Sequence, residues 1–127
     1  MEKITTTLLI SDDLDDHLSF TEAFAKVLPS MVVVAVLSQD KAIELLSSRK
    51  LVPDYVFLDL TSPDSDVSAL LNSIRRNEDG KHITFTAYGA EEAYSGGELA
   101  SISRFDKDYE FPQLVSFFED LLNQRKH

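Results

Sequence analysis

Pro53-Asp54-Tyr55-Val56-Phe57-Leu58-Asp59-Leu60-Thr61-Ser62-Pro63-Asp64-Ser65-Asp66 is the stretch that decides the fold of this chain. Residues 55–58 read as a short buried strand that ends on a carboxylate, and Pro63 with its polar neighbours turns the chain away. Asp59 therefore stands at a strand's C-terminal edge, where open α/β sheets bind their ligands. Near the N-terminus a second apolar run, residues 7–11, also leads into acid, Asp12 and Asp13. If these two strands are parallel neighbours, three carboxylates converge.

Outward from this stretch, strand and helix patterns alternate. Apolar residues at 14, 18, 24 and 28 predict a helix that Pro29 stops. Residues 31–37 are β-branched and apolar on both faces, as in a buried parallel strand. Apolar positions 42, 45 and 46 mark a helix over 38–49, with Ser38 as its N-cap. Val67, Leu70, Leu71 and Ile74 follow helical spacing, with Arg75 and Arg76 at the C-terminal end and Gly80 as a stop. A strand over 83–87 comes next, then a helix over 90–100. Gly96-Gly97 lies in the middle of that helix, at about 1 kcal/mol per glycine relative to alanine. It is expected to be short, bent or mobile. A fifth strand over 102–106 precedes a final helix marked by Leu114, Phe117, Phe118, Leu121 and Leu122. Five βα units predict a parallel sheet with helices on both faces, the flavodoxin-like (βα)5 three-layer sandwich in strand order 2-1-3-4-5. In that order strands 1 and 3 meet at the switch point, which groups Asp12, Asp13 and Asp59.

Composition narrows the function classes. At 127 residues the chain predicts a single domain over 1–127, with no output domain attached. Its 43% hydrophobic and 27% charged residues are those of a soluble globular protein. A net charge of −10 argues against direct nucleic-acid binding, which needs a basic patch. The absence of cysteine excludes disulfides, thiol catalysis and thiolate metal sites. No signal peptide is evident, and residues 31–37 are too short to cross a bilayer, so a cytoplasmic protein away from membranes is expected. His17, His82 and His127 share no metal-binding spacing.

Three like charges in one cleft persist if a cation neutralises them or if some are protonated. Oxygen ligands suit Mg²⁺ before Ca²⁺, and Mg²⁺ accepts phosphate oxygens. Asp59 is then a candidate nucleophile toward phosphorus. Thr86 and Lys107 end the fourth and fifth strands at the same edge, placed to meet a transferring phosphoryl group. Each residue alone has a blander reading: a turn, a cap or a solvated charge.

Together, the residues resemble a response-regulator receiver domain of two-component systems along nearly the whole chain. Ile10-Ser11-Asp12-Asp13 resembles the acidic pair after the first strand. The 53–63 stretch resembles the phosphoacceptor strand with its following proline, Thr86-Ala87 the Thr/Ser-Ala pair, and Lys107 the family's lysine. The resemblance implies that Asp59 accepts a phosphoryl group from a histidine kinase or phosphotransfer protein. It implies Mg²⁺ held by Asp12, Asp13, Asp59 and the Thr61 carbonyl, and phosphoryl oxygens bound by Thr86 and Lys107. Such a domain is a phosphoacceptor rather than an enzyme, and signals by protein contact. A second copy is an expected partner, through the face made by the 90–100 helix, the fifth strand and the last helix.

Three positions depart from the family. Asp108 replaces the usual proline after the lysine, so a trans Lys107–Asp108 bond is expected. Arg104 stands where an aromatic switch residue is common, and Val67 replaces a glycine. These predict signalling by ordering of the 90–100 helix instead of an aromatic flip. The competing reading is an interaction module that keeps the fold without phosphorylation. An aspartyl phosphatase is disfavoured because Asp59-Leu60-Thr61 lacks a second acid, and nucleotide binding because no glycine-rich loop follows strand 1.

Overall fold

The computed structural model describes residues 5–61, 65–76, 83–89, 103–105 and 109–125. Pro63, Gly80, the 90–100 helix, Lys107 and its bond to Asp108 lie outside the described residues, as does the side chain of Arg104. The elements are β1 (Thr6–Ile10), α1 (Leu14–Val27), β2 (Val32–Val36), α2 (Gln39–Ser47), β3 (Tyr55–Asp59), α3 (Val67–Arg76), β4 (Thr84–Tyr88), β5 (Ser103–Phe105) and α4 (Phe111–Arg125). The strands form one parallel sheet, in the order β2-β1-β3-β4-β5. The architecture is flavodoxin-like α/β.

Strand parity sorts the core into two layers, because successive side chains point to opposite faces. Leu8, Ile10, Val56 and Leu58 pack under Leu46 of α2 and Leu70 and Ile74 of α3. Leu9, Tyr55, Phe57 and Tyr88 pack under Phe20 and Phe24 of α1 and Leu114 and Phe118 of α4. The second layer is aromatic. Phe24 stacks on Phe118 at 3.8 Å between ring centroids, and Phe20 meets Phe57 edge-on at 5.3 Å. Each fully buried phenylalanine contributes about 1.5–3 kcal/mol by removing apolar area from water.

α3 buries Val67, Leu70, Leu71 and Ile74, the stripe its spacing predicts. Ser38 caps α2 by accepting the Lys41 N–H at 3.3 Å. Two expectations are corrected. Leu14 and Leu18 of α1 face solvent, at 68% and 60% exposure, while Asp16, Phe20, Ala23 and Phe24 form the buried face. The aromatic layer sets the phase of this helix, and the two leucines lie outside its stripe. β2 is apolar throughout yet only partly buried, because it is an edge strand with one sheet neighbour. At the start of α2, the Gln39 side chain donates from Nε2 to the Asp66 carbonyl at 2.9 Å. Its Oε1 accepts the Asp66 N–H at 2.8 Å, so one buried amide pins the entry to α3. Among the described residues no helix is long and apolar enough to cross a membrane.

Candidate functional site

Asp59 is the last residue of β3 and is fully buried. The β1–β3 register pairs Ile10 with Leu58, so the next residue along each chain brings Ser11 beside Asp59. Ser11 donates its hydroxyl to Asp59 Oδ2 at 2.8 Å. Asp59 Oδ1 accepts the Thr61 N–H at 2.9 Å and the Thr61 hydroxyl at 2.6 Å. Beyond β4, Gly89 adopts a φ of +98°, and a Cβ there would lie 2.9 Å from Thr61 Cγ2 and 3.4 Å from Asp59 Oδ1. Glycine lets the end of β4 close against the Thr61–Asp59 turn.

Asp12 and Asp13, expected beside Asp59, lie on the turn between β1 and α1. Asp12 is exposed and Asp13 half-buried. Asp13 is the N-cap of α1, its Oδ1 accepting the Asp15 N–H at 2.9 Å. Among the described residues no group of three acidic or histidine side chains is placed to hold a metal ion. The register sets Ser11 beside Asp59, because β1 ends at Ile10, the partner of Leu58. Asp12, Asp13, Asp59 and the Thr61 carbonyl would offer only oxygen donors, the kind a hard cation such as Mg²⁺ accepts while keeping several waters.

Asp16, on the first turns of α1, is a buried acid that the sequence pattern did not mark. Its Oδ2 accepts the Tyr88 hydroxyl at 2.7 Å and lies 3.2 Å from Ser11 Oγ. Its Oδ1 accepts the Tyr109 hydroxyl at 2.8 Å. Burial first, then the charge of Asp16, the hydrogen bond to it and the charge of Asp59 hold the Tyr88 phenol protonated well above its ordinary 10.0. His17 Nε2 sits 2.7 Å from the Ser11 carbonyl, which ties the turn after β1 to α1. Thr86, two residues before Tyr88, is fully buried, and its Oγ1 has no hydrogen-bond partner among the described residues. An unmet hydroxyl on the neighbouring strand, two register positions before Asp59, is a cost the fold retains, of the kind found at functional sites.

No family model matches the chain, and no curated protein sequence matches it. Solved structures do. The chain is similar to a CheY-like receiver domain from Methylobacillus flagellatus, with TM-score 0.74, 22% identity and coverage of 97% of this chain and 99% of that one. It is similar to the signal receiver domain of a DNA-binding response regulator from Colwellia psychrerythraea, with TM-score 0.70, 24% identity and coverage of 94% and 99%. A CheY-like receiver domain from Methanospirillum hungatei aligns with TM-score 0.74, 16% identity and coverage of 98% of both chains. The fold is that of a receiver domain.

Proposed function

We propose that this chain is a response-regulator receiver that accepts a phosphoryl group on Asp59 from a histidine kinase or phosphotransfer protein. The observation that carries the reading is a buried Asp59 at the switch-point edge together with an unmet Thr86 hydroxyl on the adjacent strand β4. An Asp59 carboxylate oxygen forms the bond to phosphorus. The phosphorus–nitrogen bond of the donor phosphohistidine breaks, and its electron pair returns to the imidazole, which takes up a proton. Thr86 donates its hydroxyl to a phosphoryl oxygen, and Lys107 supplies a positive charge. Mg²⁺, held by Asp59, Asp12 and the Thr61 carbonyl with Asp13 at the rim, would neutralise charge on the phosphoryl oxygens. The domain is not an enzyme toward a separate substrate; it assists its own phosphorylation and dephosphorylation and signals by protein contact in the cytoplasm.

One observation favours a second reading, a pseudo-receiver that works by contact alone. Ser11 stands beside Asp59 and already hydrogen-bonds its Oδ2, an oxygen a phosphoacceptor would need free. Intact mass after incubation with acetyl phosphate, with and without Mg²⁺, separates the two. A Mg²⁺-dependent gain of one phosphoryl group, lost in Asp59→Asn, supports the phosphoacceptor. No gain, together with no Mg²⁺ binding, supports the pseudo-receiver.

A further inference from the structure

Two buried carboxylates flank one hydroxyl at the end of β1. Ser11 Oγ lies 2.8 Å from Asp59 Oδ2 and 3.2 Å from Asp16 Oδ2, and it accepts the Asp13 N–H at 3.1 Å. A serine hydroxyl carries one hydrogen, so it serves one of these carboxylates at a time. The shorter distance assigns it to Asp59.

We propose that Asp16 is a positioning residue for Asp59 that acts through Ser11. It is the alternative acceptor that draws the Ser11 hydroxyl off Asp59 when that oxygen reacts. A carboxylate oxygen that accepts an O–H bond is a poorer nucleophile, so the bond must weaken as Asp59 approaches phosphorus. Given up without replacement, a hydrogen bond to a charged group is a large loss. With Asp16 in place, rotation about the Ser11 side-chain bond exchanges one carboxylate for the other. Asp16 is held for this role by Tyr88 from the end of β4 and Tyr109 from the entry to α4. Each phenol bonded to Asp16 satisfies part of its hydrogen-bonding capacity and so lessens its pull on Ser11. The tyrosines thus set the balance between the two carboxylates. The inference rests on the phosphoacceptor reading of Asp59.

The test is the rate of phosphoryl uptake from acetyl phosphate with Mg²⁺, followed by intact mass, in wild type, Asp16→Asn, Ser11→Ala and the double variant. Asp16→Asn is expected to slow uptake about tenfold, the rate equivalent of one charged hydrogen bond. In the Ser11→Ala background the same change is expected to have no effect, because the hydroxyl it acts through is gone. Tyr109→Phe keeps the ring that packs edge-on against Phe20 at 6.1 Å and removes only the phenol. It is expected to speed uptake about threefold, by strengthening the pull of Asp16. This second variant decides the matter if Asp16→Asn does not fold. An Asp16→Asn rate at or above wild type, a slowing that persists without Ser11, or slowed or unchanged uptake in Tyr109→Phe would overturn the proposal. A wild-type protein that takes up no phosphoryl group removes the phosphoacceptor reading and this inference with it; normal wild-type uptake with an unaffected Asp16→Asn removes this inference alone.

Discussion

Replacing Thr86 by valine should make the protein more stable and its chemistry slower. Thr86 is fully buried, and its Oγ1 finds no partner among the described residues. Burying a hydroxyl without a hydrogen bond costs about 1–3 kcal/mol in proteins. Valine keeps the β-branched shape that a strand favours and removes the unmet group, so no cavity opens. The expected gain is about 1–2 kcal/mol. At about 2.1 cal/mol/K per residue over 127 residues, each kcal/mol raises Tm by about 4 °C. Urea unfolding followed by far-UV circular dichroism reads the change as a higher midpoint at constant slope. Phosphoryl uptake by the same variant, followed by intact mass, should fall. A variant that is no more stable than wild type would refute the reasoning, because Thr86 would then have a partner in solution. Raised stability with unchanged uptake would sever the unmet hydroxyl from function.

Gly89→Ala should destabilise by about 2 kcal/mol, since a φ of +98° strains an L-residue and the new Cβ crowds Thr61 Cγ2; chemical denaturation with a midpoint near wild type would contradict the turn geometry. Stability should fall above about pH 10, because the folded Tyr88 phenol has a raised pKa and holds its proton while the unfolded phenol releases it. The slope from this group approaches about 1.4 kcal/mol per pH unit, and Tyr88→Phe should flatten it in unfolding curves taken at pH 9–11. Asp13→Ala should cost about 1 kcal/mol through the lost cap on α1, whereas Asp13→Ser should retain most of that stability. Weakened Mg²⁺ binding in Asp13→Ser, by titration calorimetry, would show that Asp13 also ligates; equal binding would leave it a cap alone.

Local signals in the sequence were legible where one element answers to one neighbour. α3 carries its stripe at helical spacing and meets one face of the sheet. Ser38 caps with a side chain three residues from its donor. The position of Asp59 followed from a strand that ends on an acid, and its neighbour β1 from the order of strand and helix. The phase of α1 was not legible, because Leu14 and Leu18 fit a helical spacing that the aromatic layer overrides. Asp16 was missed for a related reason. Its tyrosine partners lie 72 and 93 residues away, and only the assembled sheet brings them to α1. Ser11 was closer to reach: counting one step past the Ile10–Leu58 pair sets it, and not Asp12, against Asp59.

The Gln39 amide has a consequence for how a change at Asp59 can travel. A segment transmits displacement only if its far end is free to yield. The chain after Asp59 is secured at once by the Leu60 N–H on the Tyr88 carbonyl, at 2.7 Å. It is secured again at Asp66 by both polar atoms of Gln39. Leu60 and Asp66, at the two ends of the connection into α3, are thus each held by bonds to another element. From Asp59 a hydrogen-bonded chain runs sideways, through Ser11 and Asp16 to Tyr88 and Tyr109, toward the half of the molecule that carries α1 and α4.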